Sequence, residues 1–390
     1  MTENKPHVVI FGAGMTGRGH IAQLAFEGGW KLTFVDKNSE LVKALDQAGK
    51  YTVRMISDHP RDVVISDYQV FHIDDKAAIS EAIVKCDMVI TAVLAGNLPG
   101  VAPVLAEGLS RRLMDKSRKP LNIIAAENVN EGSSALWSLT SKHLSVEERR
   151  EYGHLFGFPN SMVARVVPRS SDPLLIPAED YNEWTAELQA RVGDPTPLNG
   201  LEWVPNQEAR LKRKLYIHNT GHAVCAYLGV LKGYGFIHEA AQDKWVLSYV
   251  RKAIVESGRA VSKAYNFDES DVMAYANNLL DRLPKDALPD SIDRVIREPI
   301  RKLGIADRFI GPLELCERYG LPLDGLCLGI AAVLAANTMD AEGIKLTSVI
   351  RDKGPATALS EVSGYTPDAE SGQAIEGYYN SLISSDFSSI

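Results

Sequence analysis

Apolar and polar positions along this chain follow two different rhythms, and the change between them falls at about half its length. Residues 7–11 read His-Val-Val-Ile-Phe, a β-branched run without polar alternation, as a strand buried on both faces of a parallel sheet requires. A helical pattern follows over about residues 18–27 and stops at Gly28-Gly29, and residues 31–35 form the next strand, which ends at Asp36. Strand patterns return at 87–93 and 121–126, each followed by a helical stretch, with further strand signals at 154–158 and 162–167. This alternation predicts an α/β, Rossmann-type doubly wound parallel sheet. Residues 49–71 hold short β-like pieces and a charged turn at 58–62, expected to be an insertion on that domain with no assignable chemistry. Residues 192–200, with Gly, Asp, two Pro and Asn, interrupt the pattern and mark a domain boundary. Beyond Asn206 the period is helical almost to the end, with Pro and Gly breaks near 284–289, 299, 311–312 and 320–322. The expected domains are therefore 1–195, a nucleotide-binding unit with extra strands, and 200–385, an all-helical unit; the last residues form a loose tail.

Composition narrows the function. A chain of 390 residues, 45% hydrophobic and 24% charged, has the make-up of a soluble globular protein with room for two cores. Its formal net charge of -8 argues against nucleic acid and anionic membrane as partners while leaving small anions open as ligands. Cys86, Cys225, Cys316 and Cys327 form no CxxC pair and no Cys/His cluster at zinc spacing, so reduced buried thiols and no metal are expected. No apolar leader opens the chain, and its longest apolar stretch, 325–336, is short and Gly-punctuated, which suggests a cytoplasmic protein, monomeric or a small homo-oligomer.

The first strand runs directly into Gly12-Ala13-Gly14-Met15-Thr16-Gly17. With a helix after it and an acidic residue, Asp36, closing the second strand, this GxGxxG has the context that dinucleotide binding demands. Gly12 permits the tight turn, Gly14 lets a pyrophosphate approach the backbone, and Gly17 lets the helix pack close, while amides around Met15 and Thr16 face the phosphates. Asp36 would accept the ribose hydroxyls and repel a 2′-phosphate, favouring NAD over NADP, a preference that the adjacent Lys37 softens. Asn97, in the turn after the third such strand, is a candidate for contact with ribose or nicotinamide, and Glu127-Asn128 stands where such sheets bind ligands; an ordinary turn is the alternative at both places.

In the helical half, Lys214-Leu-Tyr-Ile-His-Asn219-Thr-Gly-His222 sets a lysine, a carboxamide and an imidazole on one helix. At about 100° per residue Lys214 lies at 0°, His222 near 80° and Asn219 near 140°, so the three share a side. Such a trio suits oxidation of an alcohol: a lysine whose pKa is depressed takes the hydroxyl proton while the others hold the developing oxyanion. An isolated helix would offer a solvated Lys, a capping Asn and a core His with the same letters. Arg294, Arg297, Arg301, Lys302 and Arg308 crowd into 292–308, either a solvated helix face or a crevice wall whose cations bind hydroxyls, carboxylate or phosphate.

Taken together, Gly12 to Gly19, Glu127-Asn128, Phe158-Pro159-Asn160-Ser161-Met162-Val163, Lys214-x4-Asn219-x2-His222 and Arg297-Glu298-Pro299-Ile300-Arg301-Lys302-Leu303 resemble the polyol-specific long-chain dehydrogenases, and among these the mannitol-1-phosphate 5-dehydrogenases. The resemblance implies metal-independent hydride transfer between NAD(H) and a sugar alcohol or ketose, here D-mannitol 1-phosphate and D-fructose 6-phosphate. It implies Lys214 as general base, Asn219 and Asn128 as oxyanion stabilisers, His222 as the residue that positions the substrate hydroxyl, and Arg294 and Lys302 on distal substrate oxygens. Ala164-Arg165 stands where relatives have Asp-Arg, and Glu131 follows Glu-Asn where phosphate-using relatives often have arginine; an inward Glu131 would oppose a phosphate. An unphosphorylated polyol or a sugar acid is then the alternative substrate. The 3-hydroxyacid and 6-phosphogluconate dehydrogenases space lysine and asparagine more closely and lack the histidine, and a non-catalytic NAD-binding module would have no need of the trio.

Overall fold

The structure, a computed structural model, describes residues 5–57, 59–115, 119–127, 129, 131–285 and 290–384. It divides into two compact units, Met1–Arg210 and Leu211–Ile390.

The strands of the first unit are β1 (His7–Phe11), β2 (Lys31–Asp36), β3 (Lys50–Ile56), β4 (Arg61–Ser66), β5 (Tyr68–His72), β6 (Met88–Thr91), β7 (Leu121–Ala125), β8 (Phe156–Gly157), β9 (Ser161–Ala164), β10 (Leu175–Glu179), β11 (Glu183–Glu187) and β12 (Leu201–Val204). Six of them form one sheet in the order β5-β2-β1-β6-β7-β8, every neighbouring pair parallel. The central strands lack polar alternation because both faces are covered. Val8 and Ile10 enter one core with Met88, Ile90 and Ile124, while Val9 and Phe11 enter another with Val89, Leu121 and Ile123. Each such side chain contributes about 1.5–3 kcal/mol on burial. The chain winds outward from β1 through β2 to β5, then returns to β6 and winds the other way. Loops leaving β1 and β6 therefore diverge, and a crevice opens at the carboxyl ends of those two strands.

The segment 49–71 is not a single insertion. β3 and β4 pair antiparallel and take β10 alongside as a separate three-stranded sheet, with Tyr51, Val53 and Met55 buried and Arg54 exposed. β5 instead joins the main sheet beside β2. As an edge strand it is only partly covered, so its Tyr-Gln-Val-Phe-His sequence lacks the apolar run that marks the centre. The expected strands at 154–158 and 162–167 shorten to β8 and β9, and β9 turns antiparallel onto β11, which also holds β12.

The second unit is helical throughout its described length apart from one isolated bridge, Phe236 with Ser291. Its long helix, Lys244–Tyr265, is capped by the Asp243 carboxylate, which accepts the Trp245 and Val246 amides. This helix packs against Thr220–Leu231, Glu269–Arg282, Ile310–Tyr319 and Asp324–Ala335. The buried Glu256 carboxylate accepts the Gly325 and Leu326 amides at 3.0 Å each and so closes the start of helix Asp324–Ala335. The expected break near 299 is present: residues 292–308 hold two single turns, Ile292–Val295 and Pro299–Lys302, separated at Glu298, whose φ is 57°. Gly311-Pro312 falls within the first turn of Ile310–Tyr319 and not between helices, because a missing N–H costs nothing there. The Glu298 and Arg301 amides are taken up by Asp340 and Glu342, at 2.9 Å each. All four cysteines are buried free thiols. Among the described residues no helix is long and apolar enough to cross a membrane.

Candidate active site

In the first unit the glycine loop is built by exclusion. Gly12 has φ +97°, and a Cβ there would stand 2.4 Å from the Ala92 carbonyl oxygen; one on Gly17 would stand 1.9 Å from the carbonyl oxygen of Gly12. Above Gly14 there is nothing within 4 Å. The first and third glycines thus allow backbone to touch backbone, and the second leaves open space beside the half-buried Met15 and Thr16. That space lies at the point where strand order reverses, and it suits a pyrophosphate. Arg18, fully buried, stiffens the loop: its Nε donates to the Ala13 carbonyl at 2.5 Å, its Nη1 donates to Pro173, and its guanidinium lies over the Tyr51 ring.

Asp36 ends β2 with Oδ2 accepting the Ala13 amide at 2.7 Å and Oδ1 accepting the Asn38 amide at 2.9 Å. A carboxylate offers about four lone-pair sites, so acceptor capacity remains for ribose hydroxyls. Lys37 Nζ donates to Asn97 Oδ1 at 2.8 Å, and Asn97 Nδ2 donates to the Val93 carbonyl at 2.5 Å. The expected cofactor residue Asn97 therefore bridges the ends of β2 and β6. Glu127 accepts the Thr91 hydroxyl at 2.8 Å and the Val93 amide at 2.9 Å, and burial raises its pKa. Asn128 lies outside the described residues. Glu131 is exposed. Asn160 and Ser161 form a joint: Asn160 accepts the Ser134 amide at 3.1 Å, and the Ser161 hydroxyl donates to the Ala125 carbonyl at 2.8 Å. Arg165 donates to Gln23 Oε1 at 2.6 Å, fastening β9's end to the helix after the glycine loop.

In the second unit, Gln207–Arg213 runs into a π turn, Lys214–Asn219, and continues as helix Thr220–Leu231. The turn changes the geometry inferred from the sequence. With about 4.4 residues per turn, each step covers roughly 80°, so Asn219 moves to about 50° and His222 to about 10° on the other side of Lys214. The spread of the trio narrows from about 140° to about 60°. The Thr220 hydroxyl donates to the Arg308 carbonyl at 2.5 Å, and the Tyr216 hydroxyl donates to the Ala306 carbonyl at 3.4 Å, fixing the turn against 306–308.

Lys214, Asn219 and His222 are all half-buried. Asn219 does not cap the following helix with its side chain, and His222 is no core histidine: its Nε2 donates to Asp290 Oδ2 at 3.0 Å. Asp290 is in turn held by Arg294, Nε to Oδ1 at 2.8 Å and Nη2 to Oδ2 at 2.6 Å. Burial works to raise the Asp290 pKa, but the hydrogen bonds from His222 and Arg294 outweigh it and hold the carboxyl at about 2. His218 is pushed well below the ordinary histidine value, by burial first and then by His222, Arg282, Lys214 and Arg308. Lys302 is only 4% exposed, and burial, followed by Arg308 and Arg301, lowers its pKa to about 8. Arg308 bears on both His218 and Lys302. Like Arg294 it is paired with a carboxylate, its Nε donating to Asp307 Oδ1 at 2.8 Å, and Arg301 Nε donates to Glu298 Oε2 at 2.8 Å. Sequence reading missed Asp290. Its spacing of four from Arg294 hinted at an ion pair, but no local pattern points from it to His222.

Two family models cover most of the chain: the mannitol dehydrogenase Rossmann domain matches residues 6–200, and the mannitol dehydrogenase C-terminal domain matches residues 208–380. Among solved structures, the chain is similar to Pseudomonas fluorescens mannitol 2-dehydrogenase in its ternary complex with NAD and D-mannitol, at 18% identity and a TM-score of 0.72, covering 99% of this chain and 94% of that one. It is also similar to a substrate-free D-sorbitol dehydrogenase, at 18% identity and a TM-score of 0.77, covering 98% and 94%. At such identity these structures speak for the fold, whereas the family models match nearly the whole sequence: the chain belongs to the mannitol dehydrogenase family.

Proposed function

We propose that this protein is an NAD-dependent polyol dehydrogenase that works without a metal ion, and that its substrate pair is D-mannitol 1-phosphate and D-fructose 6-phosphate. The observation that carries the reading is the π turn over Lys214–Asn219 in a chain of this family, since its wider turn favours Lys214, Asn219 and His222 sharing one side of the helix. The cofactor, when bound, accepts or supplies the hydride. Everything else falls to the protein. The Gly12 to Gly17 loop and the helix after it receive the pyrophosphate on backbone amides, and Asp36 accepts ribose hydroxyls and disfavours a 2′-phosphate. Lys214 takes the hydroxyl proton during oxidation and returns it during reduction. Asn219 donates to the oxygen as negative charge builds on it, and His222 orients a substrate hydroxyl beside it. Lys302 binds distal substrate oxygens, and Arg294 assists.

A second reading, an unphosphorylated polyol, has its own support. Arg294 gives its Nε and Nη2 donors to Asp290, so its charge is already matched, and the two similar structures named above are dehydrogenases of mannitol and sorbitol. NADH oxidation at neutral pH, with fructose 6-phosphate and fructose in parallel, separates the two. Turnover of the phosphate alone supports the first reading, and turnover of fructose alone replaces it with the second. Turnover of neither moves the search to other polyols and sugar acids.

A further inference from the structure

We propose that Asp290 is a positioning residue for the reaction: it holds His222 in one tautomer and leaves Nδ1 as the ring atom that accepts from a substrate hydroxyl beside the reacting one. This rests on the placing of His222 at the substrate, proposed above. A carboxylate only accepts, so across the 3.0 Å contact the hydrogen belongs to His222 Nε2. In the neutral ring Nδ1 then carries a lone pair, which accepts from a substrate hydroxyl beside the reacting one. The reacting hydroxyl keeps its own proton for Lys214.

Asp290 is built to stay in place. Arg294 clamps both of its oxygens, at 2.8 and 2.6 Å. Its backbone is fastened as well: the Ile237 amide donates to the Asp290 carbonyl and the Ile292 amide to the Gly235 carbonyl, both at 3.0 Å. On the histidine side, helix Thr220–Leu231 is tied to the same region by the Tyr227 hydroxyl, which donates to the Ile296 carbonyl at 2.7 Å. The contact is thus braced from both elements, and with side chains 23% and 19% exposed the pair lies mostly out of water. An exposed ion pair between Asp290 and Arg294 alone would do little for stability and nothing for a histidine. Here the carboxylate faces inward, onto an imidazole of the trio.

Asp290→Asn tests this with little change of shape. A carboxamide must set its NH2 group against either His222 Nε2 or Arg294 Nε, so one tautomer is no longer enforced. The chain is labelled with 15N-histidine, and His222→Gln identifies the His222 signals. The expected wild-type result is a single Nε2–H tautomer. Asp290→Asn should show both tautomers, with kcat/KM for the polyol or ketose down about 10- to 100-fold and NADH Kd within about twofold. A residue of merely structural importance would lower Tm while leaving the tautomer and kcat alone. An Nδ1–H tautomer in the wild type overturns the proposal, and so does an Asp290→Asn protein that keeps one tautomer and activity within about twofold. A fully active His222→Gln protein instead removes the functional reading of His222, and the proposal with it. Should Asp290→Asn not fold, the wild-type tautomer decides.

Discussion

The two halves of the candidate machinery are made in opposite ways. The glycine loop of the first unit works by absence: two missing side chains let backbone approach backbone, and a third leaves space open above Gly14. The Lys214 helix of the second unit works by presence. Its side chains acquire their roles from groups far away in sequence, Asp290 on His222 and Arg308 beside His218. A site formed by backbone geometry tolerates almost no added atoms but depends little on its surroundings. A site formed by side chains tolerates reshaping, yet its chemistry is set by whatever packs against it.

Substitutions can press on that contrast. Lys214→Ala should cut kcat by about 10² to 10⁴ while NADH Kd stays within about twofold, the usual scale for losing a general base. Single-turnover rates and an NADH fluorescence titration measure the two sides, and substantial activity in the variant would put the chemistry elsewhere. In the loop, Gly17→Ala and Gly14→Ala should diverge. The first forces a Cβ into the Gly12 carbonyl and should lose about 3 kcal/mol of stability. The second meets open space, so Tm should hold while NAD affinity falls about tenfold or more; unchanged affinity would mean that no phosphate lies over Gly14.

The side-chain site should also betray itself through pH. Burial lowers the Lys302 pKa from 10.5 to about 8, so between those values the unfolded chain binds a proton that the folded one lacks. Stability attributable to this group therefore rises with pH across that window, by up to roughly 3 kcal/mol. Urea melts of wild type and Lys302→Met from pH 7 to 10 should show the variant's advantage at pH 7 shrinking as pH rises, and a constant difference would contradict it. The smallest effect belongs to Asp36→Ala, which should narrow the preference for NAD over NADP about tenfold. An unchanged ratio of kcat/KM values would place the ribose away from Asp36.

Much of this was visible in the letters of the chain, and for a physical reason. A strand covered on both faces reads as a nearly continuous apolar run, so β1, β2, β6 and β7 announced themselves, and a loop needing room for a phosphate must spell its glycines. Lys214-x4-Asn219-x2-His222 was legible because all three residues belong to one helix. What lay beyond one-dimensional reading came from partners distant in the chain. β5 hid its place in the main sheet because an edge strand needs only partial cover. The π turn that narrows the trio leaves no periodic mark, since one widened turn shifts the phase of a helix without changing its composition. Phe158 to Val163 stood out as a motif, but only its contacts show Asn160 and Ser161 to be a joint between strands and helix. The pairing of Asp290 with His222, and of Arg294 with Asp290 in place of an open cation, depends on two segments brought within 3.0 Å by packing. Periodicity and glycine placement are written locally because backbone sterics are local. Which charge meets which is settled only once the helices close around their core.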